Sequence, residues 1–123
     1  MITFDQFAEA LGEIESENNP DVRMGDGHRA IGRWQCHIDR LFDEAKRHGL
    51  YPKLGEKFDD FVRRVLDCIF DAHPHFSPVE TAMYWHLGHY SFPASPDWDH
   101  GYANRFTAAL EKVCNSPTPS SNA

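Results

Sequence analysis

Apolar side chains recur at every third or fourth position along five stretches of this chain, with polar side chains between them. Such spacing places the apolar side chains on one face, because a helix has 3.6 residues per turn. The pattern predicts helices over residues 3–17, 37–47, 57–72, 77–87 and from 99 or 100 to about 114. The third has the widest apolar face, so we expect it to be the central helix of the core.

Residues typical of helix ends support the first and the fourth of these helices. Thr3 is followed three residues later by Gln6, and Ser77 by Glu80, which are capping-box arrangements. Pro78 fits the first turn of the fourth helix. Gly88 is the expected stop of that helix, since glycine readily adopts the conformation that ends helices.

A glycine-rich segment separates the first two helices. Asn19-Pro20 ends the first helix, since the residue before a proline avoids helical geometry, and Asp26-Gly27 is a turn pattern. We therefore expect a small, irregular β-hairpin over residues 21–36, whose second arm, 30–35, leads into the second helix. The predicted fold class is accordingly mostly α (α+β), with one small β-hairpin.

Length and charge narrow the classes of protein. A chain of 123 residues fits one domain, expected over 1–114, and the Ser/Pro/Thr/Asn-rich segment 115–123 is expected to be a disordered tail. The net charge of −7 disfavours nucleic acid as a partner. The chain has no apolar run that could span a membrane and no export signal, so we expect cytoplasmic synthesis and no membrane partner. We also expect a monomer.

Cysteine and histidine form no metal or disulfide pattern. The three cysteines have unrelated spacings and are expected to be reduced thiols. The pairs His86/His89 and His73/His75 straddle a glycine and a proline, unlike the two histidines on one helix that bind zinc. We therefore expect no metal ion and no cofactor.

One ordered set of residues runs from the end of the first helix into the hairpin. Glu15-Ser16 is followed by Asn19-Pro20, and then by Gly27, Ala30, Gly32 and Gln35. This order resembles the catalytic core of the lysozyme-like lytic transglycosylases and of the related goose-type and phage lysozymes. Relative to that family, one extra residue lies between Gly27 and Ala30.

Two later segments extend the resemblance to about residue 110. Trp85-His86-Leu87-Gly88 stands where the family has aromatic-Asn-Ala-Gly, with only the glycine identical. Tyr102 with Phe106 is similar to the family's Tyr-Val-x-x-Val segment, whose tyrosine points into the site. The sequence departs from the family at Arg33-Trp34, which replaces a small or hydrophobic pair, and at His86, which replaces the asparagine.

The resemblance implies a lysozyme-like helical domain with the hairpin beside an active-site cleft. It implies cleavage of the β-1,4 bond between N-acetylmuramic acid and N-acetylglucosamine, with Glu15 as general acid and peptidoglycan glycan strands as the partner. Such an acid needs an apolar setting that raises its pKa. On spacing alone, Glu13, Glu15 and Glu17 are equally consistent with solvated surface charge.

The resemblance also implies a set of substrate-binding residues. They are Ser16, Gly32, Trp34, Gln35, Trp85, His86 and Tyr102. Three of them keep two interpretations each: Trp34 stacks on a sugar or belongs to the core, and Tyr102 points into the site or packs in the core. Gly32 allows a close approach either to the first helix or to a sugar ring.

Two reactions fit this pattern. A transglycosylase needs no second carboxylate, because the same glutamate then acts as base on the muramic 6-hydroxyl. A hydrolase needs a water and usually a second acid. The hairpin residue Asp26 and the second-helix residue Asp39 are the candidates.

The alternative function is a lysozyme-like fold without catalysis, kept as a structural or protein-interaction module of a phage or an effector. The acidic charge, the missing export signal and the altered substrate segments favour it. In the enzymatic interpretation, the protein reaches the cell wall through holin pores, a virion or a secretion system.

Overall fold

The structure is a computed structural model and describes residues 2–19, 23–24 and 30–115. Five helices make up most of it: α1 Phe4–Ser16, α2 Ile38–Arg47, α3 Phe58–Ala72, α4 Pro78–Leu87 and α5 His100–Asn115. Three short strands lie between α1 and α2: β1 Arg23–Met24, β2 Ala30–Ile31 and β3 Cys36–His37. The fold is mostly helical with a small antiparallel sheet, as the sequence predicts.

The helix ends lie within a residue or two of the predicted positions because local residues determine them. Thr3 and Gln6 form the reciprocal capping box of α1, and Ser77 and Glu80 form that of α4. Gly88 ends α4 in the left-handed conformation, with φ of 87°. Helix α5 includes Asn115, the first residue of the predicted tail, and residues 116–123 lie outside the described residues.

The predicted hairpin is a sheet of three antiparallel strands in the order β1-β2-β3. Strand β1 pairs with β2, and Ala30 and Ile31 of β2 pair with His37 and Cys36 of β3. The predicted second arm is therefore wrong in detail: a turn over 32–35 divides it, because Gly32 and Gln35 both adopt positive φ. Residues 20–22 and 25–29, with the Asp26-Gly27 pattern, lie outside the described residues.

One core joins the helices. Helix α3 contributes the buried side chains Phe61, Val62, Val65, Leu66 and Ile69. Helix α1 packs along α5, where the ring centroids of Phe7 and Phe106 are 5.6 Å apart. Burial of these apolar side chains is the main stabilising term of the fold. No helix in the described part of the chain is long and apolar enough to cross a membrane.

Candidate functional site

A cleft of about 960 Å³ lies between the C-terminal end of α1 and the middle of α5. One wall consists of residues 13–17 and Asn19, and the other of Arg105, Ala108, Ala109 and Lys112. The four α5 residues follow the spacing i, i+3, i+4 and i+7, so they occupy one face of that helix. The two alanines leave room between the cationic side chains, and glutamates line the opposite wall.

The end of α1 is fixed to the turn over 32–35. Ser16 Oγ donates a hydrogen bond of 2.5 Å to the Arg33 carbonyl and accepts one of 3.2 Å from the Asn19 backbone N–H. Glu17 and Asn18 adopt left-handed backbone conformations, with φ of 55° and 60°. These contacts hold the last turn of α1, which carries Glu15, in one orientation at the cleft.

Glu15 and Tyr102 meet across the two helices. The Tyr102 hydroxyl donates a hydrogen bond of 2.7 Å to Glu15 Oε2. Tyr102 is 2% exposed, so its hydroxyl is the polar end of an otherwise buried side chain. Among the described residues, Tyr102 is the hydrogen-bond partner of the Glu15 carboxyl.

Burial determines the acidity of Glu15. It raises the pKa of Glu15 from 4.5 to about 7, against the lowering effects of the Tyr102 hydrogen bond and the nearby positive charge of Arg105. Burial, with the neighbouring Glu15, also holds the pKa of Tyr102 well above 10, so its hydroxyl stays protonated and remains a donor. The cleft therefore contains a carboxyl group that carries a proton near neutral pH.

His86 and Asp99 contact Tyr102 on the side that faces α4. The His86 ring stacks on the Tyr102 ring, with centroids 3.9 Å apart and planes 9° apart. His86 Nε2 lies 3.0 Å from Asp99 Oδ2, and Asp99 Oδ1 accepts a hydrogen bond of 3.0 Å from the Tyr102 backbone N–H. His86 was expected to bind substrate, and the structure places it against Tyr102 and Asp99.

The loop before α5 is organised by Asp97. Its carboxylate accepts hydrogen bonds of 2.6 Å from both Ser91 and Ser95, and it lies 2.5 Å from His89 Nε2. These contacts lower the pKa of Asp97 strongly. Trp98, which follows, is buried. The loop is therefore fixed up to the residue before Asp99.

Trp34 and Trp85 belong to the core. Trp34 is 2% exposed, and its indole N–H donates a hydrogen bond of 2.8 Å to the Ala8 carbonyl. The Trp85 indole N–H in turn donates one of 2.8 Å to the Trp34 carbonyl. Of the two interpretations of Trp34, the geometry supports the core, because a buried indole offers no face to a sugar.

Gly32 and Gln35 serve the turn. A Cβ atom at Gly32 would lie 2.5 Å from Asp59 Oδ1, so the close approach within the protein is to the start of α3 instead of α1. The Gln35 side-chain amide donates a hydrogen bond of 3.1 Å to the Gly32 carbonyl. Gln35 lines a small cavity with Arg40 and Trp85, separate from the cleft.

Of the two expected second carboxylates, only Asp39 belongs to the described residues. Asp39 is exposed in the first turn of α2 and does not line the cleft. Asp26 lies outside the described residues. The carboxylates that line the cleft beside Glu15 are Glu13 and Glu17, both exposed. The sequence analysis treated Glu13 and Glu17 as surface charge. Their position beside Glu15 at the end of α1 could have indicated that they lie near the same site.

Two further residues that contact Tyr102 were missed. Arg105 lies three residues after Tyr102, so both are on neighbouring positions of one helix face, and its guanidinium is 5.8 Å from the Tyr102 ring. Asp99 directly precedes α5, where aspartate is favoured as a helix cap. Both residues could have been predicted from the sequence once Tyr102 was taken as a site residue.

The described residues contain no group of three or more His, Cys, Asp or Glu side chains that could hold a metal ion. Cys36 is buried, and its burial raises the pKa of the thiol to about 12, which disfavours it as a nucleophile. Comparison with protein-family models, curated proteins and solved structures finds no match for this chain.

Proposed function

We propose that this protein is a lysozyme-like glycosidase that cleaves peptidoglycan glycan strands, with Glu15 as the general acid. The observation that carries the proposal is the partly buried Glu15 carboxyl, which lies in a large cleft and accepts one hydrogen bond from Tyr102. Its pKa of about 7 gives it a proton to donate near neutral pH. The resemblance of the Glu15-Ser16 segment to the transglycosylase core supports the same assignment.

The proposed reaction begins with proton transfer from Glu15 to the glycosidic oxygen. The bond between that oxygen and the anomeric carbon breaks, the alcohol leaves, and positive charge develops on the sugar ring. Arg105 stabilises the Glu15 carboxylate that remains, since opposite charge favours the ionised form. Tyr102 holds one carboxylate oxygen in place throughout.

Two outcomes then differ in the group that attacks the anomeric carbon. In a transglycosylase, the Glu15 carboxylate takes the proton of the muramic 6-hydroxyl, whose oxygen closes an anhydro ring. In a hydrolase, a water attacks and a second carboxylate takes its proton. Glu13 and Glu17 are the described carboxylates that line the cleft and could take that role.

The test is release of soluble fragments from purified peptidoglycan by wild type, Glu15→Gln and Glu9→Gln. We expect Glu15→Gln to lower the rate by about 100-fold or more, because general acid catalysis contributes at least that much. Glu9→Gln is the matched control, since it removes an exposed carboxylate of the same helix that does not line the cleft. Mass spectrometry of the products distinguishes anhydro ends from reducing ends and so assigns the reaction.

Absence of release by folded wild type, on walls of several chemotypes, would contradict the catalytic proposal. The interaction module would then be the better account of the cleft. Equal activity of wild type and a folded Glu15→Gln variant would contradict the role of Glu15 while leaving an enzyme in place.

A further inference from the structure

Four side chains form a continuous series of contacts that ends at the cleft. Asp99 Oδ2 lies 3.0 Å from His86 Nε2, the His86 ring stacks on Tyr102 at 3.9 Å, and the Tyr102 hydroxyl donates to Glu15. Asp99 and His86 do not line the cleft, so neither residue touches a ligand held there. The series joins three helices, because His86 belongs to α4, Tyr102 to α5 and Glu15 to α1.

We propose that His86 and Asp99 are positioning residues, which hold the Tyr102 ring so that its hydroxyl stays on Glu15 Oε2. Their effect on catalysis rests on the proposed function, whereas their effect on the Tyr102–Glu15 hydrogen bond does not. No substrate contact is needed for this role.

The geometry of Asp99 supports this assignment. One of its carboxylate oxygens accepts from the Tyr102 backbone N–H, and the other lies at hydrogen-bond distance from His86. A single carboxylate therefore fixes both the start of α5 and the ring that covers Tyr102. Asp99 therefore constrains Tyr102 in two ways. It holds the Tyr102 backbone directly, and it holds the plane of the Tyr102 ring through His86.

Exposure argues against an ordinary packing role. The side chains of His86 and Asp99 are 33% and 43% exposed, so burying them contributes little to the core. Surface ion pairs typically contribute little to stability. Since His86 stacks on Tyr102, which is only 2% exposed, the exposed pair acts mainly by holding Tyr102.

The consequence for Glu15 has a definite sign. The Tyr102 hydrogen bond lowers the Glu15 pKa, so a Tyr102 ring that is less well held leaves that pKa higher. The other charged groups that line the same cleft are Arg105 and Lys112 on α5 and Glu13 and Glu17 on α1. None of these four changes in the variants below.

The experiment is a ¹³C NMR titration of the Glu15 carboxyl in the full chain, assigned by its loss in Glu15→Gln. We expect Tyr102→Phe to raise the Glu15 midpoint above the wild-type value, because the hydroxyl donor is gone. His86→Ala is expected to reproduce at least half of that rise. His86→Phe keeps an aromatic ring without the Asp99 contact, and we expect a smaller rise than for alanine.

His89→Ala is the matched control. This second histidine of the same region contacts Asp97 instead of Asp99, so we expect a wild-type Glu15 midpoint. Asp99→Asn retains an oxygen acceptor for the Tyr102 N–H and removes the charge that faces His86. For Asp99→Asn we expect a small rise of the Glu15 midpoint, between the values for His89→Ala and His86→Ala.

A folded His86→Ala variant with a wild-type Glu15 midpoint would overturn the proposal, and so would an unshifted Tyr102→Phe. These readouts require no glycan, so they stand even if the protein proves to have no glycosidase activity. If the protein is active, the alkaline limb of its pH–rate profile should shift to higher pH in His86→Ala. The KM should change little. An unchanged limb would contradict the positioning role in catalysis.

Discussion

At the scale of single residues, Glu15 is placed where ionisation is unfavourable. Its carboxyl is partly buried at the end of α1, and burial outweighs the Tyr102 hydrogen bond and the Arg105 charge, so that its pKa is about 7. The same burial that suits a proton donor reduces stability, since the charged form is poorly solvated.

We predict that Glu15→Gln stabilises the protein at pH 8 and has little effect at pH 4. Between the unfolded value of 4.5 and the folded value of about 7, the native state keeps a proton that the unfolded chain loses. Stability therefore falls as pH rises through this window, and the whole penalty is present above it. The gain at pH 8 should be about 1–3 kcal/mol, measured by urea unfolding.

Glu13→Gln is the control for this stability measurement, because Glu13 is exposed on the same helix. Its difference from wild type should be nearly the same at both pH values. A Glu15→Gln variant that is equally or less stable than wild type at pH 8 would contradict the buried, proton-retaining carboxyl.

The residues of the site were only partly predictable from the sequence. Glu15 and Tyr102 were both candidates, and the structure brings them within 2.7 Å. Trp34 kept two interpretations because an indole suits both a sugar face and a core. What decides between them is the carbonyl of Ala8, 26 positions away, and no local pattern reveals such a long-range partner.

At the scale of elements, the helices were predictable and the sheet was less so. Capping boxes and apolar periodicity are local, and the predicted helix limits agree with α1 to α5 within a residue or two. The turn over 32–35 depends on the left-handed backbone of Gln35, with φ of 48°. A non-glycine residue in that conformation is uncommon, and the surrounding contacts stabilise it.

We predict that Gly32→Ala destabilises the protein more than Gly49→Ala. Both glycines have positive φ, of 81° and 67°, so both substitutions carry a backbone cost of about 1 kcal/mol. Only at Gly32 would the new Cβ collide, 2.5 Å from Asp59 Oδ1, whereas nothing lies within 4 Å at Gly49. The additional loss at Gly32 should be about 1–3 kcal/mol by urea unfolding.

Equal losses at the two glycines would show that Asp59 moves away without cost. That result would contradict the account of Gly32 as the point where the turn is fixed to α3. The Asp59 carboxylate also accepts from the Arg33 backbone N–H at 3.2 Å, which is why we expect it to resist displacement.

At the scale of the whole molecule, the packing of α1 along α5 builds both the core and the cleft. Phe7 and Phe106 meet between these helices, and Glu15 and Tyr102 meet between the same two helices at the cleft. The cleft also brings Arg105 and Lys112 to one wall of a chain whose net charge is −7. Disrupting the packing of α1 against α5 would therefore remove the site together with the fold.

We predict that Phe106→Ala costs about 3–5 kcal/mol of the free energy of unfolding, because it leaves a cavity between α1 and α5. Phe106 is fully buried, at 0% exposure, whereas Phe92 is 47% exposed and is the matched control. Phe92→Ala should cost less than about 1 kcal/mol. Similar losses for both variants would contradict the assignment of Phe106 to the core.

The cleft holds Glu15 as a protonated acid near neutral pH, and titration of Glu15 in the wild-type protein tests this most directly. In a ¹³C NMR titration, the Glu15 carboxyl resonance should change with a midpoint of about 7. A midpoint near the ordinary value of 4.5 would contradict the claim, because Glu15 would then be a solvated carboxylate with no proton to donate.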